Sequence, residues 1–258
     1  MDLSPWIVAF GSGVFGAAMG GLPSFIICGL LVIANLPELG FGLYFGPHIS
    51  FAGATAAAAY AYRKGLVGDS GQDILMPLIK LNDGMTLAVG GIFGMIGHGI
   101  FSLFTSIGLQ TDGVALTVVA SGLLCKFIFS KEKLTFGSYS LPKDGAGFNL
   151  LILGLGVGAL SAYVGIVTKN PALCFGVAAV SLIVIQICGA GPVTHPVALT
   201  AALAGMMSGS VWIGMLVGVI AIFLWDFFCK VINSKDTYID PPACTIAILT
   251  AIILKIWS

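Results

Sequence analysis

Two histidines stand at related places in two similar stretches of this chain. His48 lies in Gly46-Pro47-His48-Ile49-Ser50, and His195 closes Gly191-Pro192-Val193-Thr194-His195-Pro196. Each stretch runs into a helix of small residues, Ala52 to Ala56 in one and Ala198 to Ala202 in the other. Proline suits the first turn of a helix, where its missing N–H would be unpaired anyway. Gly46-Pro47 and Gly191-Pro192 therefore predict two helix starts, each with free N–H groups and a partial positive charge. Such ends attract an anion, a carboxylate or a carbonyl oxygen. An imidazole beside them offers a hydrogen bond or a proton. Gly46, His48, Ser50, Gly191, Thr194 and His195 are the candidate solute contacts. The plainer reading is that each neutral ring bonds a carbonyl and locks its loop. His98, between Gly97 and Gly99, has no counterpart and reads as a packing histidine.

A second pair of motifs reads D-x-x-A-x-T: Asp112, Ala115 and Thr117, then Asp240, Ala243 and Thr245. Asp directly before a helix is capping chemistry, and Pro241 strengthens that reading for the second. Otherwise the two carboxylates sit in vestibules and attract a cation. Thr117 and Thr245 either offer hydroxyls to a solute or bond their own backbone four residues back. Asp226, within an apolar run, either pairs with Lys230 at i+4 or serves as a proton or Na⁺ site. Asp112, Asp240 and Asp226 are thus the ion-coupling candidates. The six cysteines form no CxxC pair and read as small buried hydrophobes, so no metal site or other cofactor is expected. Zincin and serine-hydrolase motifs are absent, so an enzyme is not expected either.

The elements that must hold these residues are membrane elements. Of 258 residues, 58% are hydrophobic and 9% charged, with mean hydropathy +1.05. An ordinary soluble domain carries about a quarter charged residues. Eleven basic and eleven acidic side chains are too few to solvate such a surface, and a zero net charge implies no nucleic-acid partner. The expected class is an all-α polytopic membrane protein. Ten apolar segments are read: 6–20, 22–36, 44–63, 84–108, 112–130, 147–168, 170–190, 192–209, 211–232 and 241–257. The segments within 6–36 and 170–209 are short or weakly divided, and read as tilted spans or re-entrant helices. The amino end lacks a basic signal-peptide region, so the first segment is expected to be retained.

Ten spans place Arg63, Lys64, Lys80, Lys126, Lys131, Lys133, Lys143, Lys230 and Lys235 on one side, and only Lys169 and Lys255 on the other. By the positive-inside bias the first side is cytoplasmic, with both termini outside. Trp6, Trp212 and Trp257 then fall near the outer boundary. Gly46 to Gly191 is an offset of 145 residues, and Asp112 to Asp240 one of 128. The difference matches an extra polar stretch at 66–83. The chain accordingly divides into a repeat at 1–130, a cytoplasmic linker at 131–146 and a second repeat at 147–258. Five spans per repeat is odd, so the second repeat is inverted relative to the first, with short or broken helices meeting near the midplane. Steps such as Gly16/Gly20, Gly90/Gly94, Gly154/Gly158, Gly205/Gly209 and Gly214/Gly218 suit close helix packing.

This plan resembles the urea transporter fold and, more distantly, the ammonium channel fold. The likeness rests on the loop-to-helix starts Gly46-Pro47-His48 to Ala59 and His195-Pro196 to Leu203. Where urea transporters have an Asn-Pro-Leu type motif, this chain has Pro-His or His-Pro. The chain is also similar to a group of bacterial inner-membrane proteins. The resemblance implies one pore per protomer in a homo-oligomer, a trimer or dimer. The expected function is a channel or transporter for a small polar solute, urea- or amide-like or a small monocarboxylate. The alternatives are a H⁺- or Na⁺-coupled transporter of a small anion, and a non-transporting membrane subunit.

Overall fold

The computed structural model describes residues 2–68, 70–131, 136–232 and 235–257. Lys133 and part of the 131–146 linker lie outside them. The described chain is all-helical. In the first half come α1 (Ser4–Met19), α2 (Gly21–Ile33), a short turn α3 (Pro37–Gly40), α4 (Ser50–Arg63), α5 (Gly84–Ser106) and α6 (Gly113–Phe129). In the second half come α7 (Asp144–Thr168), α8 (Pro171–Ser181), α9 (Ile183–Cys188), α10 (His195–Ser208), α11 (Val211–Val231) and α12 (Pro241–Trp257). Each of the ten sequence segments contains a helix.

Four helical stretches are long and apolar enough to cross a membrane: Gly84–Ser106, Asp144–Thr168, Pro171–Cys188 and Val211–Val231. α1 and α2 pass that test only together, and they bend by 119°. Gly20 makes the bend, at φ +97°, a backbone region that side chains disfavour. The helix starts need one correction. α4 begins at Ser50, after turns at Pro47 and His48, and α10 begins at His195 with Pro196 in its first turn. Pro192 lies three residues earlier, outside any helix, and starts none.

Four side chains cap helices. Asp83 accepts from Thr86 N and Oγ1 at 2.8 and 2.6 Å, and these bonds hold its carboxyl below the usual range. Asp112 caps α6, Ser210 caps α11 and Asp240 caps α12. Asp83 and Ser210 thus open corresponding helices of the two halves, as do Asp112 and Asp240.

Helix packing in the second half repeats that in the first. α1, α4 and α5 pack together, as do α7, α10 and α11. At Gly94, a Cβ would meet the Ala9 carbonyl and lie 3.1 Å from Gly13 Cα. At Gly218, it would lie 2.7 Å from the Gly154 carbonyl and 2.6 Å from Gly158 Cα. Gly90 faces Ala17 in the same way that Gly214 faces Ala162. The large side chains of these helices point outward: Trp212, Leu216 and Ile220 are exposed along α11, while Gly214, Gly218 and Ala221 are buried. Not every Gly-xxx-Gly step packs this way, since Gly209 is an exposed C-cap at φ +70°.

The halves join through two antiparallel pairs. Gly29 of α2 meets Gly176 and Ala179 of α8, and Gly176 in turn meets Gly29 and Val32. Just before α6, Thr111 and Asp112 bond Ala247 and Thr250, in the middle of α12. Further along, in the middle of α6, Gly122 meets Tyr238 and Ile239, just before α12. The 66–83 stretch reaches across to the second half. Gly71 N and Ser70 Oγ bond the Lys235 carbonyl, and Gln186 Nε2 reaches the Leu75 carbonyl.

If the glycines set the packing distance, Gly94→Leu and Gly218→Leu each cost about 3 kcal/mol or more, because the new Cβ meets backbone. Gly156→Leu faces open space and is close to neutral. Melting temperatures of the three variants in detergent check this; an unchanged Gly218→Leu protein would refute it.

Candidate functional site

A central cavity of about 350 Å³ takes its lining from both halves. Its walls are aromatic. Phe25 comes from α2, Phe41 from the loop after α3, Phe51 from α4, Phe101 from α5 and Phe175 from α8. Phe175 lies 5.4 Å from Phe25 and 5.3 Å from Phe41, measured between ring centroids. Three polar side chains interrupt this wall: Asp112, His195 and Asp240. Burial of aromatic area holds the walls. The starts of α6, α10 and α12 bring the polar groups to them.

His195 is 5% exposed, its ring is 4.8 Å from that of Phe25, and its Nδ1 has no hydrogen-bond partner. A buried polar atom without a partner costs free energy and marks a place where a ligand or water completes the bonding. Asp112 Oδ1 accepts from Ala115 N at 2.8 Å, and Asp240 Oδ2 from Ala243 N at 2.8 Å. They are therefore caps and cavity wall at once.

Two further cavities adjoin the central one. A loop-side cavity of about 260 Å³ shares Phe25, Phe51, His195 and Asp240 with it, and is closed by Gln72 to Leu75 of the 66–83 stretch. A third pocket, about 400 Å³, holds His48 and His98 and shares Phe101. The His48 ring lies 4.4 Å from Phe101, and its Nδ1 also lacks a partner. His98 stacks edge-on against Trp6 at 5.0 Å, which fits its reading as a packing residue, but it also borders this pocket. His48 and His195 therefore do not line one cavity.

Several sequence candidates have other partners. Ser50 Oγ donates to the Phe45 carbonyl at 3.2 Å. Thr117 donates to Gly113 O and Thr245 to Pro241 O, four residues back in each case. The D-x-x-A-x-T motif is thus a helix start in full, with its threonine unavailable to a solute. Asp226 pairs with Lys230 at 2.7 Å and borders none of these three cavities. Thr194 is buried at the α10 start and makes no capping bond. Gly46 lies under the His48 ring, where a Cβ would come within 2.8 Å of Nδ1. Gly191 is exposed beside Ile185.

The expected free N–H groups at two helix ends are reduced in number. Ahead of α4, Ile49 N and Ser50 N bond the Gly46 carbonyl and Ala52 N bonds Pro47 O, while Phe51 N has no backbone partner among the described residues. In α10, Pro196 has no N–H and Ala198 N bonds Thr194 O, while His195 N and Val197 N have no backbone partner among the described residues. The starts of α6 and α12 are capped by carboxylates. Sequence reading missed the phenylalanines, which converge from five separate elements. It also missed a buried ion pair, Lys126–Asp236 at 3.5 Å, which ties α6 to the loop before α12. Four cysteines are buried as expected, whereas Cys188 and Cys229 are exposed.

The fold and cavity define an all-helical protein with several apolar helices compatible with membrane insertion. The chain belongs to DUF7973, a family of unknown function, whose family model matches residues 36–138 and 140–257. No curated protein and no solved structure matches it.

The double role of the aspartates separates two substitutions. Asp240→Ala removes the cap and lowers stability by about 1 kcal/mol, whereas Asp240→Asn keeps a capping oxygen and most of that stability. Thermal denaturation of both proteins, with Asp112→Ala and Asp112→Asn alongside, tests this ordering.

Proposed function

We propose that this protein is a membrane channel or transporter for a small polar solute, with its site in the central cavity between two inverted five-helix repeats. The observation that carries this reading is one aromatic cavity, lined from both halves, with the partnerless His195 in its wall. The antiparallel pairs α2–α8 and α6–α12 support inversion, because equivalent helices running in opposite senses are what a flipped repeat produces. Shared residues string three cavities into a row. The His48 pocket meets the central cavity at Phe101, and that cavity meets the loop-side one at Phe25, Phe51, His195 and Asp240. A solute would cross that row through two aromatic constrictions.

The lining favours part of the expected solute range. Two carboxylates in the wall disfavour a monocarboxylate or any other small anion. A solute with N–H donors, such as an amide or urea-like molecule, suits the carboxylates, the free histidine nitrogen and the ring faces. Coupling to H⁺ or Na⁺ is the second reading, now resting on Asp112 and Asp240 alone. The bias of the basic residues supports a cytoplasmic 66–83 loop and 131–146 linker with both termini outside, and the membrane we propose is a bacterial inner membrane. Each protomer of a homo-oligomer would carry its own pore.

Uptake of acetamide and urea into proteoliposomes tests the pore. His195→Ala is expected to change flux about tenfold, for a loss on the order of one buried hydrogen bond. His48→Ala is expected to change it less. Flux unchanged in both variants, or absent from the wild type, removes the pore role and favours a non-transporting subunit. Thiol labelling of Ser138→Cys and Ile256→Cys from opposite sides checks the inversion, which fails if both react on one side.

A further inference from the structure

We propose that the central cavity takes its solute as a small organic ammonium ion. This deepens the proposed function and rests on that cavity being the solute site. Asp112 and Asp240 both face the cavity, and no Lys or Arg stands among the described residues that line it. Asp112 receives the Ala115 N–H there and is approached by that of Val114, and Asp240 receives the Ala243 N–H and is approached by the Tyr238 hydroxyl. Carboxylates inside a membrane protein need a cation or a proton, since an unpaired charge in a low-dielectric site is costly. The rest of the wall selects the kind of cation. Phe25, Phe41, Phe51, Phe101 and Phe175 supply ring faces and edges but no oxygen. A bare metal ion wants a full shell of oxygen ligands. An alkylammonium spreads its charge over C–H and N–H surface and is held by aromatic faces.

The third element is His195. It is more than nine-tenths buried, sits among Phe25 and Phe175, lines the cavity and has an unpartnered Nδ1. It gives an ammonium N–H an acceptor that neither carboxylate supplies. A cavity of about 350 Å³ falls within the range of small-molecule sites, so the ion carries an organic body.

The test uses the purified full chain in detergent and follows its melting temperature against ethylammonium and propylammonium chloride. Sodium chloride at equal ionic strength and sodium acetate are the controls, and acetamide is the uncharged comparison. The expected result is a saturable rise with the ammonium salts at concentrations well below those at which acetamide raises it. Asp112→Asn and Asp240→Asn keep the caps, so they fold, and each is expected to weaken the response about tenfold. Phe175→Leu is expected to weaken it by about fivefold to tenfold, the size of one ring's contribution. An equal rise with sodium chloride, a rise with acetate, or full retention in both Asn variants overturns the proposal. Proteoliposome flux separates the two readings. Ammonium binding without passage of any solute supports the site and removes transport. Acetamide passage blocked by Phe175→Trp, with no ammonium response, overturns the cation and leaves the pore.

Discussion

Backbone-to-backbone contact at small residues is the constraint from which the rest of this structure follows. Apolar side chains gain little by leaving lipid for one another, so helices associate through close packing. Gly13, Gly90 and Gly94 in one half, and Gly158, Gly214 and Gly218 in the other, allow that approach at matched places. The large side chains are then free to face outward. This inside-out distribution explains how α4, rich in alanine and modest in hydropathy, stands in the interior: all residues from Phe45 to Ala59 are buried. A helix of that composition is sheltered by protein on every side, and its 14 residues, about 21 Å, need not span the bilayer.

Short central helices leave space beyond their starts, and that space is the central cavity. The same geometry sets its chemistry. The N-termini of α6 and α12 require caps, the caps are aspartates, and the aspartates therefore end up in the cavity wall. A structural need and a candidate binding feature are met by one atom set. This is why the capping and coupling readings of Asp112 and Asp240 are not alternatives. Thr117 and Thr245 differ, because their hydroxyls turn back to their own helix and contribute nothing to the wall.

Much of this was legible in the sequence. The helical segments were readable because long apolar runs end at Gly, Pro or Asp. The matched packing of α1, α4 and α5 with that of α7, α10 and α11 had a sign in the sequence, because Gly-Pro and D-x-x-A-x-T occur in both halves. The offset between halves shortens where the 66–83 stretch has no counterpart, then lengthens slightly because the loop before α12 is longer than the one before α6. Other features had no local signal. Phe25, Phe51 and Phe175 look like ordinary core residues until three helices bring them together, and Lys126 and Asp236 are far apart along the chain. The helix starts were misplaced because a Gly-Pro pair fits a turn as well as a first helical turn. Ser50 and His195 open α4 and α10, not the two prolines.

That misplacement carries the most informative asymmetry. At the offset that aligns α4 with α10, Ser50 corresponds to His195 and His48 to Val193. The two histidines are therefore not equivalents. Val193 borders the loop-side cavity and His48 the pocket beyond Phe101, so matched positions in the two halves carry a polar ring on one side and an apolar chain on the other. Meanwhile Asp112 and Asp240 obey the repeat. The loop-side cavity is also closed by Gln72 to Leu75, a stretch that only the first half has. A framework repeated in its helices thus has unlike approaches at its two ends and matched carboxylates at its centre. The site itself is matched only in its carboxylates, since His195 has no equivalent in its wall and four of its five phenylalanines come from the first half.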